Sequence, residues 1–305
     1  VITEIVPSAL AGQRLDRIVA LAGDMSRSDA SIVIAAGGVT VDGEVASSGK
    51  VRLTEGQSVT VDLEFIPKVE LPVGDDQIEF RVVHEDSEVI VVDKPAGLVV
   101  HPGAGNPVGT LANGLLARYP EIAGVGDPMR PGIVHRLDAG SSGLLVVART
   151  PDAAEHLISQ FIAHSATRRY IALVWGHPAA PHGIVDAPIG RDRRDPLRMA
   201  VVADGKRART EYEVRETFTT PTDLALLGCQ LETGRTHQIR VHLASIGHPL
   251  VGDTAYGERR PLLGLTRPFL HAEELAFEHP SSGETMRFGS ALPADLVEML
   301  GELEA

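Results

Sequence analysis

Asp138 is the single acid in Val134-His135-Arg136-Leu137-Asp138-Ala139-Gly140-Ser141-Ser142-Gly143, and Leu144-Leu145-Val146-Val147-Ala148 follows at once. The apolar run reads as a buried strand. A carboxylate on a small-residue turn beside such a strand is placed for chemistry, because small neighbours let a large substrate approach closely. The same acid could instead cap its own turn. A second motif, Leu231-Glu232-Thr233-Gly234-Arg235-Thr236-His237-Gln238-Ile239-Arg240-Val241-His242-Leu243, changes the balance. A strand ends, Gly234 turns the chain, and a helix over 236–245 begins, with Ile239, Leu243 and Ile246 expected on its buried face. Arg235 falls at the helix N-terminus, where a cation is unfavourable by about 0.3–1 kcal/mol. That cost points to a carboxylate partner; the alternative is a side chain in solvent. The tight turns at Gly247-His248-Pro249-Leu250-Val251-Gly252-Asp253 and Tyr256-Gly257 are expected to line a cleft. Tyr170, in Arg168-Arg169-Tyr170-Ile171-Ala172-Leu173-Val174-Trp175-Gly176, lies on an expected strand, either packed in the core or stacked on a base.

The elements that must position these groups fall into two blocks. Residues 12–64 read as a small unit: a helix with Leu15, Ile18, Val19 and Ala22 on one face, a second from Arg27 capped by Ser26, then short strands around an Asp42-Gly43 turn. Residues 65–77, with Pro67, Pro72 and Gly74, read as a linker. From residue 78 to about 300, apolar runs at 80–83, 89–92, 144–148, 169–174, 209–214 and 224–231 alternate with turns, and helices are expected at 111–118, 151–163 and 236–245. Many strands with few helices predict an α+β fold: a large mixed, mainly antiparallel sheet with flanking helices.

At 305 residues the chain has room for two domains, and its formal net charge is −13. Gross non-specific nucleic-acid binding is thereby disfavoured. The charge is uneven, however. Arg191, Arg193, Arg194, Arg198, Lys206, Arg207 and Arg209 face only Asp192, Asp195 and Asp204, a local +4 that is either a solvated loop or a basic arm for phosphates. Cys229 is the only cysteine. It is expected in the core, which removes disulfide frameworks and cysteine zinc sites and points to a reducing, cytoplasmic setting. Neither a secretory leader nor a membrane span is expected. No self-complementary apolar stripe stands out, so a monomer is expected.

His135-Arg136-Leu137-Asp138 with Ser142-Gly143, then Tyr170-Ile171-Ala172, Arg235 to Arg240, Gly247-His248-Pro249 and Gly252-Asp253, together with Asp93-Lys94-Pro95-Ala96-Gly97-Leu98 and Leu270-His271-Ala272, resemble in order and spacing the RluA/RluD-type pseudouridine synthases. Residues 12–64 resemble the S4 domain, a small RNA-binding module, through Arg14-Leu15-Asp16, Ser26-Arg27-Ser28 and Gly38-Val39-Thr40-Val41-Asp42-Gly43. The resemblance implies an isomerase that converts uridine to pseudouridine in RNA, ribosomal RNA of the large subunit above all, free or in an assembling particle, with no cofactor and no metal. It implies that Asp138 is the catalytic carboxylate, that Arg235 pairs with it, and that Tyr170 stacks on the base. Leu270 would cover the other face of the ring, Arg136 would fill the gap left by the flipped uridine, and His135 would help bind substrate. Arg193, Arg194 and Arg198 would hold phosphates, and Arg14, Arg27 and Lys50 would contact RNA from the S4-like unit. Residues 12–64 nevertheless carry five basic and eight acidic groups, which leaves open how tightly that unit grips RNA.

Three other readings remain at this point. Transfer RNA could be the substrate. The chain could be an RNA-binding assembly factor without catalysis. His135, Asp138, His237 and His242 could be ligands of a metal-dependent hydrolase, although His237 and His242 are five apart, whereas the helical zinc signature uses i and i+4.

Overall fold

Local signals and tertiary packing agree closely in the N-terminal unit. The structure, a computed structural model, describes residues 1–66, 71–103, 105–257 and 260–304. The chain divides into Val1–Glu70 and Leu71–Ala305. The first unit contains β1 (Ile2–Ile5), α1 (Leu15–Ala22), α2 (Arg27–Ala35), β2 (Val39–Val41), β3 (Glu44–Val45) and β4 (Ser58–Val61). Its antiparallel sheet has the order β1-β4-β2-β3. Leu15, Ile18 and Val19 of α1 are buried against Val33, Val39, Leu53 and Val59. The Ser26 hydroxyl caps α2, accepting from Asp29 N at 3.1 Å. Asp42 and Gly43, both at positive φ, make the tight β2–β3 turn that an Asp-Gly pair favours. β1 lies ahead of the expected block and completes the sheet on β4.

In the expected linker, residues 67–70 lie outside the described residues. Residues 73–75 are not a free tether but are tied to the second unit. Asn113 Nδ2 donates to Val73 O at 2.8 Å, and Asp75 N donates to Asn113 O at 3.0 Å.

The second unit contains β5 (Arg81–Glu85), β6 (Val89–Lys94), α3 (Leu111–Arg118), β7 (Ser142–Ala148), α4 (Pro151–Ala163), β8 (Thr167–Trp175), β9 (His182–Asp186), β10 (Ile189–Arg191), β11 (Met199–Val201), β12 (Arg209–Phe218), β13 (Leu224–Leu231), α5 (Gln238–Ser245), β14 (Leu270–Glu278), β15 (Thr285–Gly289) and α6 (Ala294–Gly301). Nine strands form one sheet in the order β5-β6-β7-β14-β8-β13-β12-β9, with β15 on β14. Its named pairings are antiparallel apart from β7–β14. β14 therefore shares one edge between two neighbours. Its first residues pair with β7 at His271↔Ser142 and Ala272↔Gly143, and its later ones pair with β15. Gly143 sits at φ 111°, and a Cβ there would run into the Ala272 backbone, so the junction requires glycine. β7 is buried along its whole length, as the continuous apolar run predicts. β10 and β11 form a separate antiparallel hairpin. The basic stretch is therefore a structured arm, with Arg193 and Arg194 in its tip.

Candidate active site

Asp138 lies on the loop that enters β7, where Ser141 N donates to its carbonyl at 3.1 Å. The loop is held from below by Lys94, which is fully buried. Its ammonium donates to the carbonyls of Pro95 and Leu98, each at 2.8 Å, and of Ala139 at 3.2 Å. Burial pushes the Lys94 pKa down to about 7, against the opposing pull of Asp138. The Ala139 bond ties the residue next to Asp138 to the end of β6.

Sheet register supplies the opposite wall. Leu270 pairs with Ala172, Tyr170 pairs with Ala272 on β14 and with Cys229 on β13, so these side chains share one face. Tyr170 and Leu270 are 5 % and 4 % exposed, yet both line a cavity of about 470 Å³ with His135, Arg136, Asp138 and Arg235. Burial is the main cause that pushes the Tyr170 phenol up to about 12; Arg168 opposes it and Asp138 adds to it. Tyr170 thus enters the cavity as a neutral ring with a proton to donate. Cys229 is buried in the same layer, and burial pushes its thiol up to about 12, so it is core.

The arginine beside Asp138 is Arg240, not Arg235. Arg240 Nη1 donates to Asp138 Oδ2 at 3.4 Å, with side-chain exposures of 11 % and 15 %. Nε and Nη2 of the same guanidinium form a bidentate pair with Asp253, at 2.7 and 2.9 Å. Burial works against the Arg240 charge, but Asp253 and then Asp138 outweigh it and raise its pKa. Arg235 is exposed at the cavity rim and donates from Nε to Arg207 O at 3.0 Å. The difference comes from how the turn ends. His237 takes a left-handed conformation at φ 58° and α5 starts only at Gln238, which leaves Arg235 outside the helix. The Gln238 amide anchors the turn, accepting from Thr233 Oγ1 and Arg235 N and donating to Arg209 O and Thr210 Oγ1. Residues 238–243 are all buried, so Arg240 needs a carboxylate and finds Asp253. Arg240, an ionic side chain among buried apolar neighbours, was the available sequence signal. Ile246, expected on the buried face, follows the last helical residue and is 39 % exposed.

His135 accepts from Val146 N at Nε2, 3.0 Å, beside the Phe161 ring. Burial first, and then Arg168, push its pKa down to about 3. It is a neutral cavity wall. Arg136 is exposed and makes no ion pair among the described residues. Both ring nitrogens of His242 are engaged, with Thr210 Oγ1 and Ala187 O, each at 2.9 Å. Among the described residues no group of three or more His, Cys, Asp or Glu is arranged to hold a metal ion.

Arg193, Arg194 and Arg198 do not line the cavity. Arg193 pairs with Asp204 at 3.1 Å, Arg194 is exposed in the hairpin tip, and the Arg198 guanidinium lies over the Tyr256 ring. In the first unit, Arg14 and Arg27 both pair with the buried Asp16, Arg27 at 2.9 Å, and Lys50 is exposed. The two guanidiniums remain 38 % and 57 % exposed beyond that shared acid. Among the described residues no helix is long and apolar enough to cross a membrane.

Residues 88–245 match the family described as RNA pseudouridylate synthase. An uncharacterized RNA pseudouridine synthase of Chloroflexus aurantiacus is 47 % identical, over 98 % of this chain and 93 % of the relative. The ribosomal large subunit pseudouridine synthase D of Xanthomonas campestris pv. campestris is 44 % identical, over 98 % and 91 %. Among solved structures, human RNA pseudouridylate synthase domain containing 1 superposes with a TM-score of 0.57 at 27 % identity, covering 71 % of this chain and 84 % of that one.

Proposed function

The chain belongs to the family of RNA pseudouridine synthases, and on that premise we propose that it acts on large-subunit ribosomal RNA with Asp138 as the reacting carboxylate. The observation that carries this reading is one cavity in which Asp138, paired with Arg240, faces the neutral phenol of Tyr170 and the side chain of Leu270.

The reaction breaks the N1–C1′ bond of uridine, turns the uracil, and joins C5 to C1′. C5 gives up its proton and N1 takes one, so no electron is gained or lost. A uridine must leave its stack to reach Asp138, at a cost of a few kcal/mol. Arg136 at the cavity rim fills the vacated space. Tyr170 and Leu270 clamp the uracil, and Asp138 attacks the nucleoside or removes a proton from it. Arg240 orients the carboxylate and balances its charge. Arg235 contacts RNA at the rim, and His135 shapes the pocket floor.

The hairpin β10–β11 supplies Arg193, Arg194 and Arg198 for phosphates. The S4-like unit offers Arg14, Arg27 and Lys50, with Asp16 holding two of the three in place. The name of the Xanthomonas relative and the S4-like unit both favour ribosomal RNA as substrate, either free or in an assembling particle, and a cytoplasmic site of action goes with that reading.

The test is pseudouridine mapping on transcripts of large-subunit ribosomal RNA and transfer RNA, with wild type and Asp138→Asn. Wild type is expected to modify the ribosomal transcript, and Asp138→Asn to bind it without modifying it. Normal turnover by Asp138→Asn would refute the role of the carboxylate. Modification confined to transfer RNA would refute the substrate.

A further inference from the structure

Tyr256 is 6 % exposed and does not line the cavity, yet it touches both the basic hairpin and Arg240. Its hydroxyl accepts from Met199 N, the first residue of β11, at 3.0 Å. The same oxygen lies 2.8 Å from His237 Nδ1. A phenol has one proton, and the Met199 bond leaves it free to go to the imidazole. Neutral His237 then carries its own proton on Nε2, where it is available to the cavity that His237 lines. The guanidiniums of Arg198, from the hairpin loop, and Arg240 both lie over the Tyr256 ring, at 4.9 and 5.0 Å. Tyr256 N donates to Asp253 Oδ1 at 3.1 Å, the carboxylate that grips Arg240.

Packing provides a second, independent link. A small apolar cluster separate from the main core joins Ile189 of β10 and Ala208 to Val241 of α5 and Tyr256, with Met199 packed against it. Val241 is the residue after Arg240. The hairpin is therefore seated on the helix that carries the arginine, and Tyr256 is the shared piece.

We propose that Tyr256 is a positioning residue that couples seating of the β10–β11 hairpin on RNA to the placement of Arg240 and His237 beside Asp138. A hairpin drawn onto the phosphate backbone through Arg193 and Arg194 holds Met199 N and Arg198 against Tyr256. Tyr256 in turn fixes the tautomer of His237 and the tilt of Arg240. The coupling rests on Asp138 being the reacting carboxylate.

The test uses the full chain and a large-subunit ribosomal RNA transcript, and measures the single-turnover rate at saturating RNA, RNA affinity and thermal midpoint. Tyr256→Phe keeps the ring in its cluster and removes both hydroxyl bonds. Its saturating rate is expected to fall about tenfold, the equivalent of ~1.4 kcal/mol in the barrier, with affinity within about threefold of wild type. The signature of coupling comes from adding Arg193→Ala and Arg194→Ala. In the wild-type background this pair lowers both affinity and saturating rate. In the Tyr256→Phe background it lowers affinity alone. Independent, multiplying losses in rate would overturn the coupling, as would a Tyr256→Phe rate equal to wild type. If Tyr256→Phe does not fold, Arg198→Met reads the same link from the hairpin side, and an unchanged saturating rate there overturns it. A wild-type protein that leaves the RNA unmodified would bring down the proposed function too, whereas an active wild type with uncoupled variants brings down this inference alone.

Discussion

Exchanging the two arginines of the Gly234–Leu243 motif separates the pairing expected from sequence from the one observed. Arg240 lies 3.4 Å from Asp138. At an effective dielectric of about 20, that separation corresponds to a gross attraction of ~5 kcal/mol. Asp253 takes the other two donors of the guanidinium at shorter range, so a smaller part, ~2 kcal/mol, is available to favour the transition state. Arg240→Lys keeps the charge but loses the fork, and should slow the saturated single-turnover rate roughly 30-fold. Arg240→Ala leaves Asp253 buried without its cation. Loss of one partner of a buried pair costs ~3–5 kcal/mol, which for a unit of this size lowers the thermal midpoint by roughly 6–20 °C. Arg235→Ala removes an exposed side chain with one bond to a backbone carbonyl and should move the midpoint by no more than about 2 °C. The assay follows from the chemistry: C5 loses its hydrogen, so RNA carrying tritium at C5 of uridine releases label to water once per event. Rates are normalised to the folded fraction by circular dichroism. The role of Arg240 is refuted if Arg235→Ala abolishes release while either Arg240 variant retains the wild-type rate.

Two further outcomes follow from charge. The His135 pKa is pushed down to about 3 by burial, against about 6.5 in an unfolded chain. Between those values the unfolded state binds the extra proton, so the His135 contribution favours folding less as pH falls from about 6.5 towards 3, with a limiting slope of ~1.4 kcal/mol per pH unit. Denaturant titrations at pH 7 and 4.5 should show a smaller acid loss in His135→Gln than in wild type; equal losses would remove His135 as a cause. Neutralising Arg193 and Arg194 should weaken RNA binding and flatten the plot of log affinity against log salt by about 1–2. An unchanged slope would mean that the hairpin tip does not meet phosphate.

Where local chemistry and tertiary packing agreed, the chain was readable. α3 and α4 occupy the spans that their periodicity and end residues predict, with Thr150 accepting from Ala153 N and Pro151 opening α4. β7 followed from a run that is apolar throughout. β14 was not visible, because Leu-His-Ala-Glu-Glu-Leu-Ala-Phe-Glu is built of helix-favouring residues and carries a bulge between Ala272 and Glu274 that breaks alternation. Only pairing with β8 on one side and with β7 and β15 on the other makes it a strand. The hairpin β10–β11 escaped for a similar reason, since each strand has three residues. Within the cavity, Asp138, Tyr170 and Leu270 carry marks in the local sequence. Arg240 carries only a fainter one, a cation between apolar residues, and its pairing depends on where α5 begins and on Asp253 arriving from a later turn.

Two residue pairs, His271↔Ser142 and Ala272↔Gly143, splice the part of the sheet that feeds Asp138 to the part that bears Tyr170. The gap between carboxylate and phenol is thus gauged at a seam whose four residues do not line the cavity. Slight changes of pitch at that splice would widen or narrow the space between Asp138 and Tyr170 while every wall residue keeps its identity.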